Sequence, residues 1–557
     1  MGKRQLFGVA QAVPTLPNLI SFEVRGSKSD LIRCDVPNQV GGGAMADYIN
    51  AHSELDSELI IGIVSAVGTE NGLLIDLLKE RLGRAGYCVE LIKVSSQVIP
   101  LLRDVPPYNN DNFTRINDLM TAGNKARSIP TGNYPNGDDA VLALGVATRI
   151  FAQRRKDPKG RPAPLPKTAF IVDSLKRPEE VERMRLIYPS GFILIGVHEE
   201  ESRRSRHLTE DLGLSPENAK KLIVRDAEEG TIEHGQRVSK TFHLADFFVR
   251  ISDNHDRLRC DVQRMVELWF GNPFITPTFD EHAMFLAFSA ALRSADLSRQ
   301  VGAVVTIDSQ ILSTGANDCP KAGGGLYWPE RRAGDGCISD LERGRDHTRR
   351  EGDSNVHQQN QIIDQLVEEG MKAGLDEAKL RRLLNRSRIR DLTEYGRVVH
   401  AEMEALLSCS RNGISTIGAS LYCTTFPCHN CAKHIIAAGL ERVVYIEPYP
   451  KSKTLEFHDD SIRTTRPNPS QQVKLVEFSP FVGIGPRRFF DLFSMTLGSS
   501  YPLIRKERES GAKKLWTIEN AQLRIQMKPA SYLELEAEAC KLFGTIPPLE
   551  EGQEGMP

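Results

Sequence analysis

Two cysteines, Cys428 and Cys431, stand three residues apart in the stretch FPCHNC at 426–431. Pro427 precedes the pair, and a helical pattern follows it to Gly439. Proline suits the first turn of a helix, and positions i and i+3 share one side of that turn. The partial positive charge of a helix N-terminus favours thiolate over thiol. Two thiolates so placed can grip one metal ion. Taken alone, the pair fits a structural zinc clip, a redox dithiol, or half of a catalytic metal site. Upstream, VVHAEMEALL at 398–407 puts His400 and Glu402 at the start of another helix.

His-x-Glu followed by Pro-Cys-x-x-Cys resembles the zinc deaminase signature. In that arrangement His400, Cys428 and Cys431 give Zn2+ three ligands and leave the fourth position to water, which zinc makes more acidic. Glu402, two residues past His400, reaches the water without binding the metal. It accepts the water proton, protonates pyrimidine N3 and helps ammonia leave, which is general acid–base work at C4. A redox pair fits less well, because thioredoxin-like motifs follow an early strand of their own fold. A four-cysteine clip wants a second pair, whereas Cys409 and Cys423 are single and sit in apolar elements where core packing is the default. His429, between the two cysteines, faces another way.

These residues need elements to hold them. The chain has 557 residues, 40% hydrophobic and 26% charged, which suits a globular protein of several domains at roughly 150 residues each. Net charge is -2, with 71 basic residues against 73 acidic and 7% aromatics. That balance disfavours a long polyanion as the main ligand, and with it a polynucleotide editor. The ten cysteines are scattered, which fits a reducing cytoplasm. The strongest apolar run, 283–292, is short of the roughly 20 residues that span a membrane, and the first residues lack a signal-peptide core. The expectation is a cytoplasmic protein with no membrane partner.

Residues 1–54 read as a flexible lead-in broken by Pro14, Pro17 and Pro37. Residues 55–265 alternate strands (58–68, 88–95, 168–173, 191–197 and a fifth within 242–252) with helical patterns, which predicts an α/β domain with a parallel sheet. The pattern resets near 271–279, and 270–498 form a second domain. There a helix leads into a hairpin turning at Asp308-Ser309, then helix, strand, helix, strand. A polar insertion at about 321–390 carries helices at 355–370 and 376–384. A C-terminal extension, 499–557, holds one helix at 531–542.

RSADLSRQVGAVV (293–305), STGAND (313–318), HAEMEAL and FPCHNCAKHIIAAGLERVVY resemble the deoxycytidylate deaminases, over about 285–449. The resemblance implies an α/β/α cytidine-deaminase-like domain with Zn2+. It gives Asn317 a contact to the substrate sugar and makes Arg299 the candidate for its phosphate; otherwise Arg299 is a surface arginine beside a strand. The chain departs from the family in reading NDCP at 317–320 and in carrying the insertion, and both flank the expected nucleotide pocket.

In the first domain, GIVSAVGTEN (62–71) follows a strand and opens a helix, as a phosphate-binding P-loop does. Gly62, Ser65, Gly68, Thr69 and Glu70 are its candidate nucleotide contacts, and Asp173 resembles a magnesium-side aspartate at a strand end. The P-loop lysine is missing and Glu70 stands near its place, so the charge partner for β- and γ-phosphates is lost. The domain therefore resembles a three-layer P-loop nucleotide kinase that has lost catalysis.

With SPFVGIGPRRFFDLF at 479–493, the chain resembles the bacterial anti-phage deoxycytidine nucleotide deaminases over about 58–493. The resemblance implies conversion of dCTP and dCMP to dUTP and dUMP, which starves a replicating phage. It also implies a homo-oligomer (a hexamer, as in deoxycytidylate deaminases), a regulatory nucleotide, and in some members an inhibitory RNA or protein partner. A salvage deaminase fused to a regulatory module, and a nucleotide sensor with a dead site, remain open. The complete set of His400, Glu402, Cys428 and Cys431 speaks against the sensor.

Overall fold

Seven consecutive buried residues, LIIGIVS, make β3 (Leu59–Ser65). A strand buried on both faces reads as an unbroken apolar run. Two short strands precede it: β1 (Ile20–Arg25) and β2 (Leu31–Val36) pair antiparallel inside the stretch taken as a lead-in. The computed structural model describes residues 57–102, 111–130, 134–158, 160–229, 234–349, 352–448, 452–464, 474–497, 501–527 and 529–544, and the backbone of 20–25 and 31–36. Most of the lead-in and the acidic C-terminal end lie outside the described residues. The chain separates into two compact units: 1–244 with 251–273 and 499–557, and 245–250 with 274–498.

In the first unit β3 is followed by α1 (Asn71–Arg84), β4 (Cys88–Lys93), α2 (Asn112–Arg127) and α3 (Val141–Ala152). Then come β5 (Thr168–Asp173), α4 (Pro178–Ile187), β6 (Phe192–Glu199), α5 (Pro216–Glu228) and α6 (His255–Trp269). β3 lies parallel between β5 and β6, and β4 runs parallel to β5. This is the parallel α/β sheet that the strand–helix alternation predicts.

The C-terminal segment packs on this unit. Arg524 N–H donates to the Trp269 carbonyl at 2.7 Å. The helix Pro529–Gly544 brings Glu536 to Arg154, which also pairs with Glu58, at 2.6 and 2.7 Å. All three side chains are buried.

Most of β7 (Phe247–Ile251) belongs to the second unit, and β7 pairs antiparallel with a two-residue strand near that unit's end. The central order is α7 (Phe279–Ala291), β8 (Gly302–Ile307), β9 (Gln310–Ala316). The insertion follows, with a small ladder of β10 (Glu330–Arg331) and β11 (Ile338–Ser339), then α8 (Ser354–Lys372) and α9 (Glu377–Asn385). Both insertion helices start on aspartate caps: Asp353 accepts from Asn355 and Val356 N–H, and Asp376 from Lys379 N–H. The chain continues through α10 (Ala401–Arg411), β12 (Ser420–Thr425), α11 (His429–Ala437), β13 (Arg442–Glu447), β14 (Ile462–Arg463), β15 (Val476–Pro480) and β16 (Gly483–Ile484).

The second sheet has the order β14-β15-β13-β12-β8-β9. β12, β13, β14 and β15 run parallel, and β8 runs antiparallel to β12 and β9. Gly315 on β9 lets α10 approach closely. A Cβ there would stand 2.1 Å from the Ala401 carbonyl oxygen and 2.5 Å from Ala405 N. The start of α10 is therefore set against the sheet by the absence of one methyl group.

Candidate metal centre and cavities

The two metal-binding motifs meet where α10 and α11 begin. His400 is the cap residue of α10 and Cys428 the cap residue of α11, both with extended backbone. The sheet carries both helices, so two segments 28 residues apart in sequence converge. His400 Nδ1 lies 3.3 Å from Cys431 Sγ and 3.4 Å from Cys428 Sγ. A tetrahedral zinc ion with bonds of about 2.0–2.3 Å would hold such atoms a little further apart, at roughly 3.5–3.8 Å. One nitrogen and two sulfurs this close form the donor set of an open zinc site.

Electrostatics match that donor set. The Cys428 thiol is pulled down to about 3, chiefly by the hydrogen bond from Cys431, with His400 adding to it. Cys431 is pushed up by the same shared proton and by burial. These opposite shifts favour the thiolate at Cys428 and the thiol at Cys431. His400 is raised, first by its bond to Cys428.

Glu402 lies in the first turn of α10 and is almost completely buried. Burial pushes its carboxyl up, against the pull of His400. A carboxyl held here can serve as the proton carrier of general acid–base chemistry. Cys423, on β12, is pushed well up by burial and then by Glu402, so it stays a thiol in the core.

One cavity of about 200 Å³ opens on this centre, lined by His400, Glu402, Cys428, Phe426, Asn317 and Arg299. Phe426 is fixed edge-to-face on Tyr445 at 4.8 Å. Asn317 is buried, with Nδ2 donating to the Arg299 carbonyl at 2.8 Å and Oδ1 accepting from Val301 N–H at 2.7 Å. Arg299, Asn317, His400, Glu402 and Cys428 therefore share one cavity, and Cys431 joins them through its contact with His400. Sequence reasoning missed two residues of it: Asn355 of the insertion, at the start of α8, and Arg397 just beyond the insertion line the same cavity. Asn355 donates to the Leu392 carbonyl at 2.7 Å, and its Oδ1 is buried without a partner. The only local signal at Asn355 was its position just after the Asp353 cap.

In the first unit, Ser65, Gly68, Thr69, Glu70 and Asp173 line a second cavity, of about 500 Å³. Gly62 does not line it; it sits within β3 against Leu175 and Phe192. Gly68 has φ +83, the left-handed turn that a β-to-α loop uses here.

A family profile described as "Cytidine and deoxycytidylate deaminase zinc-binding region" matches residues 277–447. The deoxycytidylate deaminase of Enterobacteria phage T2 is 30% identical over 168 residues, covering 30% of this chain and 79% of that protein. That of Mycobacterium phage D29 is 30% identical over 171 residues, covering 30% and 94%. The human deoxycytidylate deaminase is 31% identical over 146 residues, covering 26% and 75%. Among solved structures, the dCMP deaminase of cyanophage S-TIM5 in complex with dCMP and dUMP shares 20% identity, covers 37% of this chain and 99% of that one, and has a TM-score of 0.21.

The second unit thus carries the zinc-binding region of a deaminase, and its cofactor is Zn2+. The chain belongs to the cytidine and deoxycytidylate deaminase family. Among the described residues, no helix is long and apolar enough to cross a membrane.

Proposed function

We propose that the chain hydrolyses deoxycytidine nucleotides to deoxyuridine nucleotides and ammonia, taking dCMP, dCTP or both. The carrying observation is that His400 Nδ1 stands within 3.4 Å of both cysteine sulfurs while Glu402 lines the same cavity. The similarity to proteins named deoxycytidylate deaminases supports the substrate class. His400, Cys428 and Cys431 would hold the zinc ion, which would supply Lewis-acid activation of water. Glu402 takes a proton from the attacking water and delivers it to N3 of the cytosine ring. C4 gains the water oxygen as a hydroxyl, Glu402 carries that hydroxyl's proton to N4, and the C4–N4 bond breaks to release ammonia and leave a C4 carbonyl. Asn317 and Arg299 line the cavity where the sugar and phosphate enter.

The biological reading is anti-phage defence in the cytoplasm by depletion of deoxycytidine nucleotides. Its support is the first unit: deamination needs only the second, and the extra unit suits a protein held in check until triggered. That unit is a kinase-like scaffold without kinase chemistry. The reading includes a homo-oligomer (a hexamer), a regulatory nucleotide, and an inhibitory RNA or protein partner. A housekeeping dCMP deaminase with a regulatory module is the second reading, favoured by the same similarities.

The deciding experiment is a panel of dCTP, dCMP, CTP, cytidine and single-stranded DNA scored for uracil product. Product from dCTP or dCMP alone supports the proposal, and product from DNA alone removes it. Cells expressing active chain that lose dCTP on infection support defence; unchanged pools support salvage.

A further inference from the structure

The cavity at the end of β3 has a volume of about 500 Å³, within the roughly 300–1,000 Å³ typical of small-molecule sites. Its loop is poorly placed to take phosphate, because the amides of Val67, Thr69, Glu70 and Asn71 are already engaged. Val67 N–H donates to Asp226 Oδ2 and Glu70 N–H to Glu199 Oε2, each at 2.9 Å. Thr69 N–H and Asn71 N–H bond carbonyls of the loop itself. Lys176, which lines the cavity, donates to the Ser65 carbonyl at 2.8 Å and lies 3.7 Å from Asp226 Oδ1. A polyphosphate entering here meets carboxylates on the amides that would otherwise receive it.

The unmet demand is for hydrogen-bond donors. Asn71 donates to Ser65 Oγ at 3.0 Å and to Asp173 Oδ1 at 2.8 Å, and its own Oδ1 is buried without a partner. Gln236 Oε1, Thr69 Oγ1 and Asp226 Oδ1 are likewise buried without a hydrogen bond. Asp226 and Gln236 are each only 6% exposed, so bulk water does not reach these acceptors freely. All four residues line the one cavity. The same lining includes the apolar side chains of Ile116, Leu119, Met120 and Leu208. Buried acceptors beside apolar side chains suit a flat ring that carries N–H groups on its edge.

We propose that this cavity binds an amine-bearing nucleobase presented as a nucleoside, not as a polyphosphate. The ring lies against Ile116 and Leu119, and its exocyclic amino group, joined in a guanine by the ring N–H, donates to acceptors among Asn71, Asp226 and Gln236. The inference stands apart from the deaminase reading, since every residue it uses lies in the first unit.

Full-length Glu402→Ala chain, used to prevent turnover, is titrated by calorimetry with adenosine, guanosine, uridine and ATP. Adenosine or guanosine should bind at least about tenfold tighter than uridine, which lacks the exocyclic amine. ATP should bind no tighter than adenosine. Gln236→Leu should weaken nucleoside binding by about tenfold or more without lowering the melting temperature. Ile116→Trp, which fills the cavity, should abolish binding and decides the matter if Gln236→Leu fails to fold. No nucleoside binding, binding untouched by both variants, or ATP tighter than adenosine by about tenfold or more would each overturn the proposal.

Discussion

Asn317 clamps the backbone at Arg299: its Nδ2 donates to the Arg299 carbonyl at 2.8 Å while its Oδ1 accepts from Val301 N–H at 2.7 Å. One buried amide therefore fixes the turn that presents Arg299 to the cavity. Asn317→Ala removes both bonds and leaves the buried Val301 N–H unpaired. The expected cost is about 1–3 kcal/mol of stability, with a rise in KM. Thermal melting beside steady-state kinetics checks this. A higher KM with an unchanged melting temperature would mean that Asn317 acts on the ligand alone.

Glu402 separates metal binding from proton transfer. Glu402→Gln should keep about one zinc per chain and lose about 10²–10⁴-fold in kcat. Cys431→Ser should lose the metal itself. Metal analysis of each purified variant, beside its turnover of dCMP and dCTP, distinguishes the two effects. Near-normal turnover by Glu402→Gln would remove the carboxyl from the mechanism.

Asn355 tests whether the insertion takes part in recognition. Its Oδ1 is a buried acceptor on the wall of the metal-site cavity. Asn355→Leu should raise KM by about tenfold for the best substrate and leave kcat within a small factor. Equal loss in kcat and KM-independent rate would instead point to a collapsed wall.

Arg154 is the shared cation of Glu58 and Glu536. Arg154→Leu leaves two buried carboxylates with no counter-charge, which should cost about 3–5 kcal/mol. Chemical denaturation followed in the first unit reads it. Glu536→Gln, which keeps the hydrogen-bonding shape and removes one of two negative charges, should cost much less.

Much of the metal centre was legible because its determinants are local. Cys428 and Cys431 lie on one helical turn, and His400 and Glu402 on another, so spacing alone orients each pair. The insertion helices expected at 355–370 and 376–384 form at Ser354–Lys372 and Glu377–Asn385, each opening on an aspartate cap. Contacts set by tertiary folding were not legible. Nothing near Val67 or Glu70 in sequence says that Asp226, 159 residues on, and Glu199, 129 residues on, will occupy the loop's amides. Nor does the sequence around Asn355 announce a cavity built from 296–301 and 396–402. The C-terminal segment read as an extension, yet Glu536 is buried against Arg154, a pairing across 382 residues.

Gly315 works as a spacer of zero thickness between the sheet and the helix that carries the histidine. With ordinary contact beginning at 3.4 Å and a Cβ at 2.1 Å from the Ala401 carbonyl oxygen, Gly315→Ala must push the neighbouring end of α10 outward by about 1 Å, a displacement that at a reacting centre costs on the order of a hundredfold in rate. A strand residue with no polar side chain thus acts as a gauge block for the chemistry. Adding the smallest side chain there would detune the centre without touching a ligand.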